Sequence, residues 1–259
     1  MTTCEKYRLF ILEVKYLKKV EKESPLPLHY QLKQIILEMI ENELLKPGDS
    51  IPPERELCDT QGVSRMTVNK AIFSLVNEGV LYREQGKGTF VAKPKINQNL
   101  SDLKGFTEEM REKGLNPISK VLFFEIKAAT KQNKQELNMS EEHDLVIEMT
   151  RLRKVDEEPF ALETVLIPYH ICPDMTRESV EGKSLYATLT EEYNYRLDKA
   201  KQTIEPIQLN EYEAKLLNQN DNALALLFRR TTYLQDGTPV EYTKEIYRSD
   251  KYKYEIVLK

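Results

Sequence analysis

In residues 64–79, SRMTVNKAIFSLVNEG, the apolar positions fall at Val68, Ile72, Leu75 and Val76. This i, i+4, i+7, i+8 spacing predicts a helix with one buried face. Ser64, Arg65, Thr67, Asn69 and Lys70 crowd its first turn and a half, largely off that face. Upstream, Tyr30, Ile35 or Ile36, Met39 or Ile40, and Leu44 repeat at helical spacing. Pro25 and Pro27 stop any preceding helix, and Lys46-Pro47-Gly48-Asp49 ends this one and turns the chain. A short helix starts at Pro53, a residue suited to the first helical position, and runs to Gln61 before the break at Gly62. After Glu78-Gly79, residues 80–93 (VLYREQGKGTFVAK) carry two short alternating runs around Gln85-Gly86-Lys87-Gly88, which predicts a hairpin with a Gly-rich tip. Helix, helix, Gly turn, helix, hairpin is the layout of a winged helix-turn-helix, whose second helix of the pair enters the major groove.

Residues 94–104 are polar and without apolar periodicity, which suggests a linker. From 105 onward strands dominate: ISKVLFFEIKAA, the hairpin LVIEMTRLRKVDEEPFALETVLIP, LDKAKQTIEPIQL, and the hairpin LALLFRRTTYLQDGTPVEYTKEIYR. Short helices are expected at TKQNKQELNM, KSLYATLTEEYN and NEYEAKLLNQ. The expected fold class is α+β, a helical head followed by a mixed domain around an antiparallel sheet. Its parts are an extension of unknown role (1–24), the winged domain (25–93), the linker (94–104) and a second domain (105–259). The two hairpins look alike: an apolar run, Arg, a turn ending in Pro, then Glu.

Composition narrows the class. The chain has 259 residues and a net charge of −4, so charge alone suggests no nucleic-acid partner. Cys4, Cys58 and Cys172 have no metal-ligand spacing, and their odd count fits free thiols in a reducing cytoplasm. His29, His143 and His170 lie far apart in sequence. No metal site and no cofactor are expected, and no apolar run approaches the ~18 residues of a membrane span.

The segment PPERELCDTQGVSRMTVNKAIFSLVNEGVLYREQGKGTFV resembles the DNA-binding domain of GntR-type bacterial transcription regulators. Their pattern is P-S-E-R-x-L-A, S-R-x-T-V-R-x-A-L-x-x-L-x-x-E-G, then a hairpin with G-x-G-T-F-V. The remainder, with GFTEEMREKGL, TRLRKVDEEPFALETVLIP, KSLYATL and RRTTYLQDGTPVEYTKEIYRSDKY, resembles the ligand-sensing (UTRA) domain of the HutC branch, which has a chorismate-lyase-like fold. The resemblance implies a dimer on a palindromic operator, controlled by a small effector.

The residues of the head suit that role. Ser64 is placed as the N-cap, and a helix N-terminus favours phosphate. Arg65 is long enough to bind guanine in a bidentate manner, and Thr67 and Asn69 follow near the same end. Lys87 and Gly88 at the wing tip suit a narrow minor groove. In the family the position of Arg55 also reaches DNA. Residues 27–93 hold 8 Lys and Arg against 9 Asp and Glu, so placement must carry the argument: Arg55, Arg65, Lys70, Arg83 and Lys87 fall on the expected DNA side. Two departures from the pattern matter. Pro53 replaces a Ser and removes a hydroxyl. Asn69 replaces an Arg and shifts the expected preference from guanine to adenine.

In the second domain, strand alternation puts Ile147, Met149, Arg151, Arg153 and Val155 on one face, Ala161, Glu163, Val165 and Ile167 on another, and Leu224, Leu226, Phe228 and Arg230 on a third. Charges that continue apolar faces need partners. Either they pair with one another in the core or at strand ends, or they meet a ligand. The resemblance implies the second, with Phe106, Thr107, Arg151, Arg153, Ser184, Tyr186 and Arg230 around the effector. Arginines with hydroxyls suit a phosphate, while Glu163, Glu241 and Tyr247 would bond sugar hydroxyls. A sugar phosphate is thus the expected effector, with an organic acid or phosphonate as the alternative. The reading of another class is a lyase-type enzyme, but no nucleophile–base pair or metal set is visible, and no catalytic residue is expected.

Overall fold

A computed structural model describes residues 18–84 and 86–258; Cys4 and most of the 1–24 extension lie outside them. The chain divides into two compact units, residues 1–95 and 96–259.

The described residues of the first unit build three helices. Helix α1 (Leu28–Glu41) buries Leu32, Ile35, Ile36 and Met39. Tyr30, in the first turn, and Leu44, both expected on that stripe, are exposed; Leu44 leaves it because the helix stops at Glu41 and Glu43 takes a left-handed turn (φ 58°). That turn brings Leu45 into the core instead. Helix α2 (Glu54–Gln61) begins after Pro53 and ends at Gly62, whose φ of +63° a side chain would strain. Helix α3 (Arg65–Asn77) is capped by Ser64, whose hydroxyl accepts from the Thr67 amide at 3.2 Å. Val68, Ala71, Ile72 and Leu75 form its buried stripe. Strands β1 (Leu81–Glu84) and β2 (Gly88–Val91) pair antiparallel as the wing. One apolar core ties helices and wing together, and Val20 of the extension joins it. The Val20 amide donates to Gln61 Oε1 at 3.1 Å.

The second unit opens with a surprise in the expected linker. Strand β3 (Ile96–Asn99) pairs in parallel with β10 (Tyr252–Glu255). The segment shows no periodicity of its own because its partner lies at the far end of the chain, in a tail whose Tyr252 packs on Phe160 and Tyr247. Helix α4 (Phe106–Glu112) follows. The main sheet contains β4 (Pro117–Ala128), β5 (Leu145–Val155), β6 (Glu158–Pro168), β7 (Leu197–Gln208), β8 (Leu224–Leu234) and β9 (Pro239–Arg248). Every pairing in it is antiparallel, in the order β4-β5-β6-β9-β8-β7. That order is a mirror image about the β6–β9 seam, so the two similar hairpins become the two halves of one sheet. Each half carries a short helix between its outer two strands, α5 (Lys131–Glu136) and the later Glu211–Leu216.

Two local differences from the sequence pattern have physical causes. KSLYATLTEEYN is not one α-helix: α6 (Arg177–Val180) precedes it, α7 covers only Leu185–Ala187, and Thr188–Glu192 form a π-turn. Thr188 and Thr190 bond back to the carbonyls of Ser184 and Tyr186, which competes with regular helix bonding. On β8, Leu224 is exposed while Ala225 and Leu227 are buried. Both faces of the sheet are covered there, the second by α8 (Glu211–Leu216) through Ala214, Leu217, Leu162 and Ile246. No helix of the described residues is long and apolar enough to cross a membrane.

Candidate functional site

The head gathers its polar side chains at the start of α3. Arg65, at the first helical position, is 82% exposed and lies 3.5 Å from Glu54 Oε2. Arg83 reaches across from the wing, 3.5 Å from Glu54 Oε1 and donating to Asn69 Oδ1 at 3.3 Å. Glu54 therefore draws together the recognition helix and the wing. Exposed ion pairs of this kind contribute little to stability, so neither contact holds its arginine firmly. Ser64 and Thr67 hydroxyls bond each other at 2.9 Å. Lys70 and Arg55 are exposed on α3 and on the first turn of α2. Lys87 pairs with Glu84 at 3.0 Å on the wing, beside Gly88 with φ +132°. Of the expected residues, Arg65 and Asn69 belong to the Glu54–Arg83 network; Arg55, Lys70, Lys87 and Gly88 stand apart from it. Nothing in the sequence pattern singles out Glu54, because an acid is an unexpected organiser of a cluster of basic side chains.

The second site is a buried cavity lined by Gly105, Phe106, Thr107, Arg151, Arg153, Glu163, Ser184, Leu185, Tyr186, Arg230 and Glu241. Strand register explains the convergence. Arg151 is paired with Glu163 across β5 and β6, and Arg153 sits two residues on, on the same face. Arg230 and Glu241 come from the matching hairpin, whereas Phe106 and Thr107 begin α4 and Ser184 caps α7. Arg151 is fully buried; its Nε donates to Glu163 Oε2 at 2.6 Å. Arg153 donates to Glu163 Oε1 at 2.8 Å and to the Ser119 hydroxyl, and stacks over the Phe106 ring. Each oxygen of Glu163 thus accepts from an arginine, so it anchors the guanidinium pair while it lines the cavity.

Glu241 accepts from Thr232 at 2.8 Å, and Thr232 bonds the Tyr186 hydroxyl at 3.0 Å. Arg230 lies over the Tyr186 ring and donates to Glu245 at 3.3 Å. The expected place of Tyr247 is corrected. It does not line the cavity but packs edge-on against Phe228 and donates its hydroxyl to Glu245 at 3.2 Å. Glu245 itself was passed over, although strand alternation puts it on the same face as Glu241 and Tyr247.

Burial opposes ionisation of Glu163, but Arg151 and Arg153 outweigh it and hold its carboxyl at about 2. Burial pushes the Glu241 and Glu245 carboxyls upward, against the pull of Arg230. Three arginines and three carboxylates thus meet in and beside the cavity, and Arg151 and Arg153 hold Glu163 ionised while Arg230 pairs with Glu245. Both terminal nitrogens of Arg151, Nε of Arg153, Nε of Arg230 and one oxygen of Glu241 have no hydrogen-bond partner among the described residues. Buried polar groups are rarely left so. The open volume among them is ≈ 10 Å³, about the room of one water molecule. A neighbouring hollow of ≈ 600 Å³, lined by residues 97–104, Asp198, Lys199 and Gln202, shares Arg230 with the cavity.

A winged helix-turn-helix joined to a sheet domain with an arginine-rich cavity defines a class: a DNA-binding transcription regulator with a ligand-sensing domain. Residues 28–91 match the bacterial regulatory proteins of the gntR family, and residues 112–253 match the UTRA domain. The chain belongs to the GntR family of bacterial regulatory proteins, in its HutC branch, a family of regulators rather than enzymes. It is 37% identical over 235 residues to the HTH-type transcriptional repressor NagR of Bacillus subtilis, covering 91% of this chain and 96% of that one. It is 32% identical to the mannosyl-D-glycerate transport/metabolism system repressor MngR of Escherichia coli, covering 89% and 95%. The crystal structure of PhnF from Mycobacterium smegmatis shares the fold, with a TM-score of 0.62 at 24% identity over 89% of this chain and 98% of that one.

Proposed function

We propose that this protein is a cytoplasmic, homodimeric repressor that binds a palindromic operator and is controlled by a sugar phosphate in the sheet domain. The observation that carries the effector reading is the pair of buried, unpartnered terminal nitrogens on Arg151. A guanidinium fork with both terminal nitrogens unpartnered matches a phosphate group. Arg153 and Arg230 share the charge, Ser184 and Thr107 supply hydroxyls, Phe106 and Tyr186 wall the site, and the free oxygen of Glu241 accepts from a sugar hydroxyl. An organic acid or phosphonate would use the same arginines but leave Glu241 unanswered. Relatives named for mannosyl-D-glycerate and for fructoselysine utilisation support a sugar-derived effector.

A sugar phosphate exceeds the present room between the side chains, so binding selects an opened form of the cavity, entered past Arg230 from the neighbouring hollow. An effector acts on the operator only through its differential affinity for the DNA-competent and DNA-incompetent arrangements. The test is fluorescence anisotropy on a labelled operator duplex, titrated with hexose and hexosamine phosphates and the matching free sugars. Release by one phosphate and not by its free sugar is expected. Release by urocanate or a simple phosphonate alone would overturn the sugar-phosphate reading.

A further inference from the structure

The solvent face of α3 is not what a purely polar recognition surface would be. Two of its most exposed side chains are apolar: Met66, in the first turn, is 67% exposed and Phe73 is 62% exposed. At about 100° per residue, Met66 and Phe73 fall on one line, directly opposite the stripe of Val68, Ala71, Ile72 and Leu75. Asn69 and Lys70 flank that line on either side. Arg65 is turned away from it, toward Glu54 and the wing.

A helix that lies in the major groove with its core stripe behind it directs the opposite line at the base edges. In the first turn the side chain on that line is Met66. A thioether side chain has no donor with which to read a base, but it makes apolar contact, and the major groove offers one apolar feature, the C5-methyl group of thymine. Thymine pairs with adenine, the base that the neighbouring Asn69 amide prefers. The other cations on the helix and the wing supply the phosphate contacts that hold such a helix in place.

We propose that Met66 is a specificity-determining residue that reads a thymine methyl group next to the adenine read by Asn69. This rests on the assignment of α3 to the DNA major groove, and is independent of which effector the sheet domain takes.

The experiment uses the full chain and a duplex selected by it from a randomised library. Each thymine of the selected site is replaced in turn by deoxyuridine, which removes only the methyl group and keeps the pairing. Wild-type protein is expected to lose about fourfold in affinity at one thymine per half-site, the effect of one buried methyl-sized group. Met66→Ala should bind thymine and uracil sites equally, while Met66→Leu, which keeps an apolar side chain, should retain the preference. Equal wild-type affinity for every uracil site, or a methyl preference that survives Met66→Ala, overturns the proposal. Effector-induced release is measured on the same duplex. Release without methyl sensitivity refutes the role of Met66 alone, and methyl sensitivity without release refutes the effector reading alone.

Discussion

Arg151 gives its Nε to Glu163 at 2.6 Å while both of its terminal nitrogens, fully buried, meet no partner among the described residues. The pair is therefore half of an arrangement. Glu163 fixes the guanidinium plane, and the open fork is left for something anionic. The same carboxylate holds Arg153, so one acid positions two cations on neighbouring alternate residues of β5. Like charges brought this close are costly unless a counter-charge answers them, and Glu163, which bonds both, offsets one of the two.

Removing that counter-charge should be expensive. Glu163→Gln leaves two buried guanidiniums without their carboxylate and is expected to destabilise the protein by about 3–5 kcal/mol, read by urea unfolding. A loss under 1 kcal/mol would mean that the arginines find other partners.

The pH dependence of that loss has a definite sign. The Glu163 carboxyl is depressed from 4.5 to about 2 in the folded chain. Its stabilisation is fully present above about 4.5 and is lost as pH falls through about 2. Glu241 and Glu245 are shifted the other way; their raised values favour the folded state below about 4.5 and the benefit disappears as pH rises. The difference in stability between wild type and Glu163→Gln should therefore shrink steadily below pH 4.5. A difference that is flat from pH 6 to pH 3 would contradict this assignment.

The Asp156-Glu157 turn is strained. It joins Val155 to Glu158 with φ of 48° and 70° on two residues that carry side chains, the positive-φ pattern in which Asn-Gly is favoured. Glu157→Gly is expected to raise stability by about 1 kcal/mol, measured as a higher melting temperature. Unchanged or lower stability would show that the loss of the Lys154–Glu157 ion pair outweighs the relief.

Gln61 anchors the extension. Its Oε1 accepts from the Val20 amide in a buried bond, so Gln61→Ala should cost about 1 kcal/mol in the full chain. In a chain that starts after Val20 the same substitution should cost less, and the coupling in that double cycle measures what the extension contributes. Equal costs in both would remove the anchor.

At the DNA surface, Asn69→Arg should move the preferred base at one position of each half-site from adenine to guanine, read by selection from a library of sites. Unchanged preference would remove Asn69 from base reading.

The sequence carried the architecture of the head well, because α3 and the wing announce themselves through local signals: Ser64 as cap, Gly62 as break, a Gly-rich tip. It carried α1 less well, since Tyr30 sits at helical spacing yet faces solvent, and only the early stop at Glu41 explains why Leu45 takes the core position. Strand β3 was invisible, as its pairing to Tyr252–Glu255 depends on residues at the other end of the chain. In the cavity, alternation found Arg151, Arg153, Glu163 and Arg230 because period 2 survives in any strand, whereas Glu241 came only with the resemblance. It could not tell that both Glu163 oxygens are taken by arginines, nor that Tyr247 turns into an aromatic cluster, because those depend on the register between β6, β8 and β9. Glu245 and Glu54 were legible only as partners, once the arginines that face them were in place.

The most direct test of the central claim is a thermal-melting panel on the full chain, with sugar phosphates, the matching free sugars, inorganic phosphate, urocanate and simple phosphonates. At about 100 times its dissociation constant a ligand stabilises a protein by about 2.7 kcal/mol, a shift of a few degrees. The account predicts such a shift with one sugar phosphate, its absence with the free sugar, and its loss in Arg151→Ala. A shift with urocanate instead, or one that Arg151→Ala leaves intact, would contradict it.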